Sequence, residues 1–207
     1  MAELLLTFAA DSSEKLAVAD EFGSTDWKNF NERVNQLIHA LRGQGLKTGD
    51  AFSVLSGNRR EYVEAFAAAA HGGWLLVPIN WHLVASEISY ILENSESKAF
   101  FIDSRFYELG MQTVGLENAP NISPIVVMGE PERDTSTQHR NIFTYEEFLS
   151  KEKHHEPENQ SLGGPMFYTS GTTGHPKGVK SALSQTGTPV GTLKMIGDGL
   201  SGMLSIV

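Results

Sequence analysis

The run from Phe167 to Lys180, "FYTSGTTGHPKGVK", holds five hydroxyl side chains, three glycines, a proline and two lysines. It has no large apolar side chain between Tyr168 and Val179, so it belongs to no core, and its glycines and proline keep it out of a helix. Gly171, Gly174 and Gly178 open backbone angles closed to other residues and let a ligand approach the main chain. Successive N–H groups in such a turn form an anion-binding concavity. Thr169, Ser170, Thr172 and Thr173 add hydroxyl donors, and Lys177 adds a full positive charge. That donor set suits a polyphosphate. The competing reading is a Gly/Ser/Thr loop with no ligand. At average usage, the glycines and proline alone recur by chance on the order of 10⁻⁵ per window, which favours the site.

A strand-to-helix phosphate loop sets its glycine, lysine and hydroxyl residue side by side. Here Lys177 lies between Pro176 and Gly178. Pro176 pushes His175 out of helical angles, and Gly178 weakens any helix behind the lysine. "PMFYTSG" is a short run of β type, so the turn is expected to be a flap between two strands.

The elements that must position this turn alternate along the chain. "TDWKNFNERVNQLIHALRGQG" predicts an amphipathic helix, with Trp27, Phe30, Val34, Leu37, Ile38 and Leu41 at helical spacing. Thr25 or Asp26 can cap its start and Gly43 can end it. "AFSVLS" reads as a strand. Asn58 opens a helix over "NRREYVEAFAAAAHGG" with a Tyr62, Phe66 and Ala69 face, stopped by Gly72 and Gly73. "WLLVPIN" is the next strand, "ASEISYILENS" a helix with Ser86 as its cap, "KAFFID" a strand, "SRFYELGMQTV" a helix and "SPIVVMG" a further strand. Near-continuous apolar strands separated by helices predict parallel βαβ units in a covered sheet, an α/β fold. The first unit is expected to span about residues 1–150, a polar connection 151–164, and the phosphate-binding turn 165–180.

The chain has 207 residues, 40% of them hydrophobic and 20% charged, which fits an ordinary globular protein with a sizeable core. The formal charge of −9 argues against nucleic acid or an anionic membrane as partner. There are no cysteines, which excludes disulfides, thiolate metal sites and a cysteine nucleophile. "MAELLLTFAADSSEK" has no basic region ahead of its apolar run, and "AFAAAAHGGWLLVPI" is too short and broken to cross a bilayer. A cytoplasmic location and no transmembrane segment are therefore expected. "GDGLSG", residues 197–202, fits a dinucleotide pattern but lacks the strand, helix and acidic residue such a site needs. His154 and His155 beside Glu152 and Glu156 read as a solvated charge run, with no second cluster to make a metal site. For His71 the alternatives are core packing or a strand-end contact. For Trp81 and His82 the alternatives are core packing, a strand-end contact, or a place beside an acyl or thiol channel.

The residues "TSGTTGHPKG" resemble the signature of the adenylate-forming (AMP-dependent synthetase/ligase) superfamily, a Ser/Thr- and Gly-rich turn closing on Pro-Lys-Gly, at every fixed position. "GDAFSVLSGNRREYVEAFAAAAHGGWLLVPIN" and "INWHLVASEISYILENS" are similar to earlier segments of that family, so the likeness covers most of residues 24–180. "PINWHL" leans towards the fatty acyl-CoA synthetase branch. The resemblance implies a partial adenylate-forming N-terminal domain of parallel βαβ layers. It also implies that a carboxylate attacks ATP to give acyl-AMP and pyrophosphate with Mg²⁺, after which coenzyme A displaces AMP. On this likeness Thr169, Ser170, Gly171, Thr172, Thr173, Gly174, Lys177 and Gly178 hold the β- and γ-phosphates. No residue of this chain is assigned a catalytic or metal-binding role.

Family members run to several hundred residues. Their adenine, magnesium and ribose sites, hinge and C-terminal domain lie later, so most Mg²⁺ and coenzyme A contacts are expected outside this chain. The expectation is an N-terminal portion, inactive alone, whose partners are a small carboxylate, coenzyme A and the missing C-terminal portion. The alternatives are a non-catalytic or degenerate nucleotide-binding fragment, or an adenylation domain using another thiol acceptor. "VKSALSQTGTP" departs from the family's usual continuation and leaves the acyl pocket open.

Overall fold

Neighbouring side chains along each apolar run point to opposite faces of a strand, and here they divide between two cores. The computed structural model describes residues 8–130, 141–169 and 176–180. Strand β3 (Ala51–Leu55) sends Phe52 and Val54 into one core and Ala51 and Leu55 into the other. Strand β5 (Ser97–Asp103) likewise sends Ala99 and Phe101 one way and Phe100 and Ile102 the other. A sheet buried on both faces in this way needs helices on both sides, and the chain supplies them.

The first core is covered by α1 (Trp27–Gly43), α2 (Arg60–Gly72) and the short α5 (Tyr145–Leu149). The second is covered by α3 (Ala85–Asn94) and α4 (Tyr107–Val114), the latter entered through a 3₁₀ turn at Ser104–Phe106. The predicted face of α1 is buried from Phe30 to Leu41, and its cap is Asp26, which accepts the Asn29 amide at 2.7 Å. Gly73 ends α2 in the left-handed region at φ 79°, where a residue without Cβ carries little penalty.

Strands β4 (Leu75–Ile79), β6 (Ile125–Met128), β7 (Ile142–Thr144), β8 (Gly164–Thr169) and β9 (Lys177–Lys180) complete a seven-stranded sheet with β3 and β5, in the order β7-β6-β5-β3-β4-β8-β9. All its pairings are parallel except β8 with β9. This is the α/β class with parallel βαβ layers that the alternation predicts. A separate hairpin of β1 (Leu16–Asp20) and β2 (Gly23–Asp26) lies outside the main sheet.

Two predicted helix starts differ. Asn58 does not cap α2, which begins at Arg60, whose amide is satisfied by Asp20 Oδ2 of β1 at 2.8 Å. Ser86 lies inside α3; Glu87 reaches back to the Val84 amide at 3.0 Å and closes that end.

Candidate functional site

The chain steps from β3 to β4 on one side and then back across β3 to β5 on the other. In open α/β sheets the crevice at the carboxyl ends of strands flanking such a reversal commonly takes a ligand. Here that place is filled by the protein's own charges. Asp103, fully buried at the end of β5, takes bonds from Arg105 Nη2 at 2.6 Å and Nε at 3.1 Å, and Arg59 Nη1 stands 3.7 Å away. Burial alone would raise the Asp103 carboxyl, but these guanidiniums hold it below its ordinary range. Arg59 is also paired to Glu61 at 2.9 Å and covered by the Phe22 ring 4.2 Å from its guanidinium carbon. The cluster locks β1–β2, α2 and β5 together.

The carboxyl end of β8 carries the predicted turn. β8 joins β4 only through Gly164 and Pro165 and then turns into a ribbon with β9. What lets it join is Gly163: a Cβ there would stand 2.5 Å from the Trp74 backbone nitrogen and closer still to the Ala69 and Trp74 carbonyl oxygens. Backbone meets backbone at this notch, and only glycine fits.

In the ribbon Thr169 is the direct cross-strand partner of Lys177, and Tyr168 that of Gly178. Thr169 and Lys177 are both exposed, and among the described residues no carboxylate pairs with the Lys177 ammonium. A hydroxyl and an ammonium with no carboxylate partner among the described residues therefore stand opposite one another at the end of the ribbon. Gly178 has a second role beyond backbone freedom. The space its side chain would need is occupied by Met166 Cε and the Tyr168 ring. Ser170, Gly171, Thr172, Thr173 and Gly174 lie outside the described residues, as does "GDGLSG".

Trp81 and His82 follow β4 at the same carboxyl edge. Trp81 is 42% exposed, so it is no core residue; it stacks on Phe106 with ring centroids 5.3 Å apart and meets the His82 ring at a tilt, 3.5 Å between centroids. His71, in the last turn of α2, is buried, the core-packing alternative. A cleft of about 580 Å³ opens at the opposite, amino edge, but Lys47 and Lys98 share it with Asp50, Glu93 and Glu96, and no ribbon residue lines it. Mixed charge and distance from the turn set it apart from an anion site.

Composition alone concealed one arrangement. The polar connection is strapped along α1: Asn31 and Asn35 donate to Glu156 at 2.8 and 3.0 Å, and Arg42 donates to the Glu158 and Asn159 carbonyls. His155 packs edge-on against His39 at 5.1 Å. The available signal was the polar stripe Asn31, Asn35, His39 and Arg42 at helical spacing.

Comparisons with known proteins bear on the family and the fold. The sequence profile of the AMP-binding enzyme family matches residues 5–194. A 3-oxocholest-4-en-26-oate–CoA ligase of Rhodococcus rhodochrous is 30% identical over 168 residues, 80% of this chain and 30% of that protein. A fatty acid–[acyl-carrier-protein] ligase, ScoC, of Streptomyces coeruleorubidus is 31% identical over 167 residues, 79% of this chain and 29% of that protein. The crystal structure of the anthranilate CoA ligase AuaEII with anthranoyl-AMP superimposes with a TM-score of 0.75 at 24% identity, over 88% of this chain and 34% of that one. The chain thus spans about three-tenths of the length of these curated relatives. With the profile matched over nearly its whole length, the chain belongs to the AMP-binding enzyme family.

Proposed function

We propose that this chain forms the N-terminal part of the adenylation domain of an ATP-dependent carboxylate–CoA ligase, of fatty acyl-CoA synthetase type. In this reading the turn between β8 and β9 holds the β- and γ-phosphates of ATP. The observation that carries it is the pairing of Thr169 with Lys177 at the mouth of the turn, with no described carboxylate to neutralise the lysine. The fixed positions "TSGTTGHPKG" and the acyl-activating relatives support it.

As a carboxylate oxygen attacks the α-phosphorus, the bond to the bridging oxygen breaks and negative charge grows on the departing pyrophosphate. Lys177 and the Thr169 hydroxyl would stabilise that charge as charge-assisted donors fixed before the reaction. Mg²⁺ would shield the phosphates when bound. The acceptor thiol and the acid are proposals by kinship alone: seven of eight relatives are named for coenzyme A and three for a fatty acid. No helix among the described residues is long and apolar enough to cross a membrane. A cytoplasmic location is part of the proposal and rests on kinship with the acyl-activating relatives alone.

The test is Lys177→Ala in a ligase polypeptide that carries this chain. Loss of a charged bond to phosphate should slow carboxylate-dependent ATP–pyrophosphate exchange by roughly 10- to 150-fold, about 1.5–3 kcal/mol. An unchanged exchange rate removes Lys177 from the reaction.

A further inference from the structure

Both legs of the β8–β9 ribbon are tied to one helix. On the incoming leg, Tyr168 donates its hydroxyl proton to Asn94 Oδ1 at 2.7 Å. On the outgoing leg, the Pro176 carbonyl accepts from the Tyr90 hydroxyl at 3.2 Å. Tyr90 and Asn94 are four residues apart on α3, so they share one face of it. That helix is itself anchored by Ile88, Ile91 and Leu92, all buried in the second core.

The ties have work to do, because β8 leaves the sheet after Pro165. Beyond that point the described strand pairing is the ribbon's own ladder, anchored by Met166 in the second core with Tyr168 packed against it, and an isolated two-stranded ribbon is marginal in water. Each tie falls one residue before a proposed ligand-binding side chain, at Tyr168 before Thr169 and at Pro176 before Lys177. Burial pushes the Tyr168 hydroxyl up to about 12, so it stays a donor throughout the physiological range.

We propose that Tyr90 and Asn94 are positioning residues that hold the mouth of the turn open at a set width and aim Thr169 and Lys177 at the phosphates. The proposal rests on the phosphate reading of the turn and assigns α3 a part in it. A ligand that meets a pre-set mouth loses less on ordering it, so cutting a tie should weaken binding even where the fold survives.

The experiment titrates a ligase polypeptide that carries this chain with inorganic pyrophosphate by calorimetry and follows amide hydrogen exchange at Gly178–Lys180, using the parent, Tyr90→Phe and Lys177→Ala. Tyr90→Phe keeps the ring and loses the neutral hydrogen bond to Pro176, so affinity should fall about 3- to 10-fold and exchange should quicken by a similar factor, with the melting temperature nearly unchanged. If Tyr90→Phe does not fold, Asn94→Ala, which frees the incoming leg, carries the same expectation. Affinity within 2-fold of the parent in a folded variant overturns the positioning role while Lys177→Ala still weakens binding and preserves the phosphate reading. A parent chain that binds no pyrophosphate overturns the phosphate reading, and the positioning role with it, whatever the exchange rates show.

Discussion

Tyr168 lies over Gly178: the two are direct cross-strand partners, and a Cβ added at Gly178 would stand 3.1 Å from Tyr168 Cζ. Replacing a glycine usually stabilises by about 0.4–1 kcal/mol, because the unfolded chain loses freedom. Overpacking costs about 1–3 kcal/mol and should win here, since the ring is held by its bond to Asn94 while Met166 Cε can swing aside. Gly178→Ala is therefore expected to destabilise by about 1 kcal/mol. A lowered urea midpoint at unchanged slope is the measurement, and a raised midpoint would show that the ring gives way freely.

The helical layer over the first core turns on a buried carboxylate. Glu64 is 2% exposed and accepts from Arg33 Nε and the Tyr145 hydroxyl, each at 2.8 Å, while Arg33 also grips Glu146 with both outer nitrogens. Burial raises the Glu64 carboxyl; Arg33 opposes it without fully offsetting it. Arg33→Met leaves that charge without its counter-ion and should cost about 3–5 kcal/mol. Adding Glu64→Leu should restore most of the loss, because the orphaned charge goes too. Denaturant titration of the single and double variants reads both, and a double variant no better than Arg33→Met would locate the cost in lost packing.

How far these arrangements could be read from residue types depends on where each group finds its partner. The apolar runs "AFSVL", "LLVPI" and "AFFID" are buried on both faces, so their strands and the parallel class stand out. Strands β1 and β2 are largely exposed and carry no such run, and they escaped the reading. So did β7 and α5, which span three and five residues. Asn58 and Ser86 have the right chemistry for caps, yet Asp20 satisfies the start of α2 from another element and Glu87 serves α3 locally. At the turn, the order of residue types marks Lys177 and Thr169, and the register sets them opposite. The supporting bonds from Tyr90 and Asn94 join residues more than seventy positions apart, which no local pattern encodes.

His71 gives the fold an acid-sensitive point. It sits in the last turn of α2, buried, with its Nε2 lacking a hydrogen-bond partner among the described residues. A helix C-terminus favours protonated histidine, but burial outweighs it and lowers the group from 6.5 to about 4. Below pH 6.5 the unfolded chain therefore takes up a proton that the folded chain refuses until about pH 4. Stability should fall with pH across that window, by at most about 1.4 kcal/mol per pH unit from this residue. His71→Leu deletes the titration, so between pH 7.5 and 5 the variant should gain about 2 kcal/mol on the parent in denaturant midpoints converted to free energy. Parallel curves for the two proteins would mean that His71 can take its proton without leaving the core, and that burial does not keep it neutral.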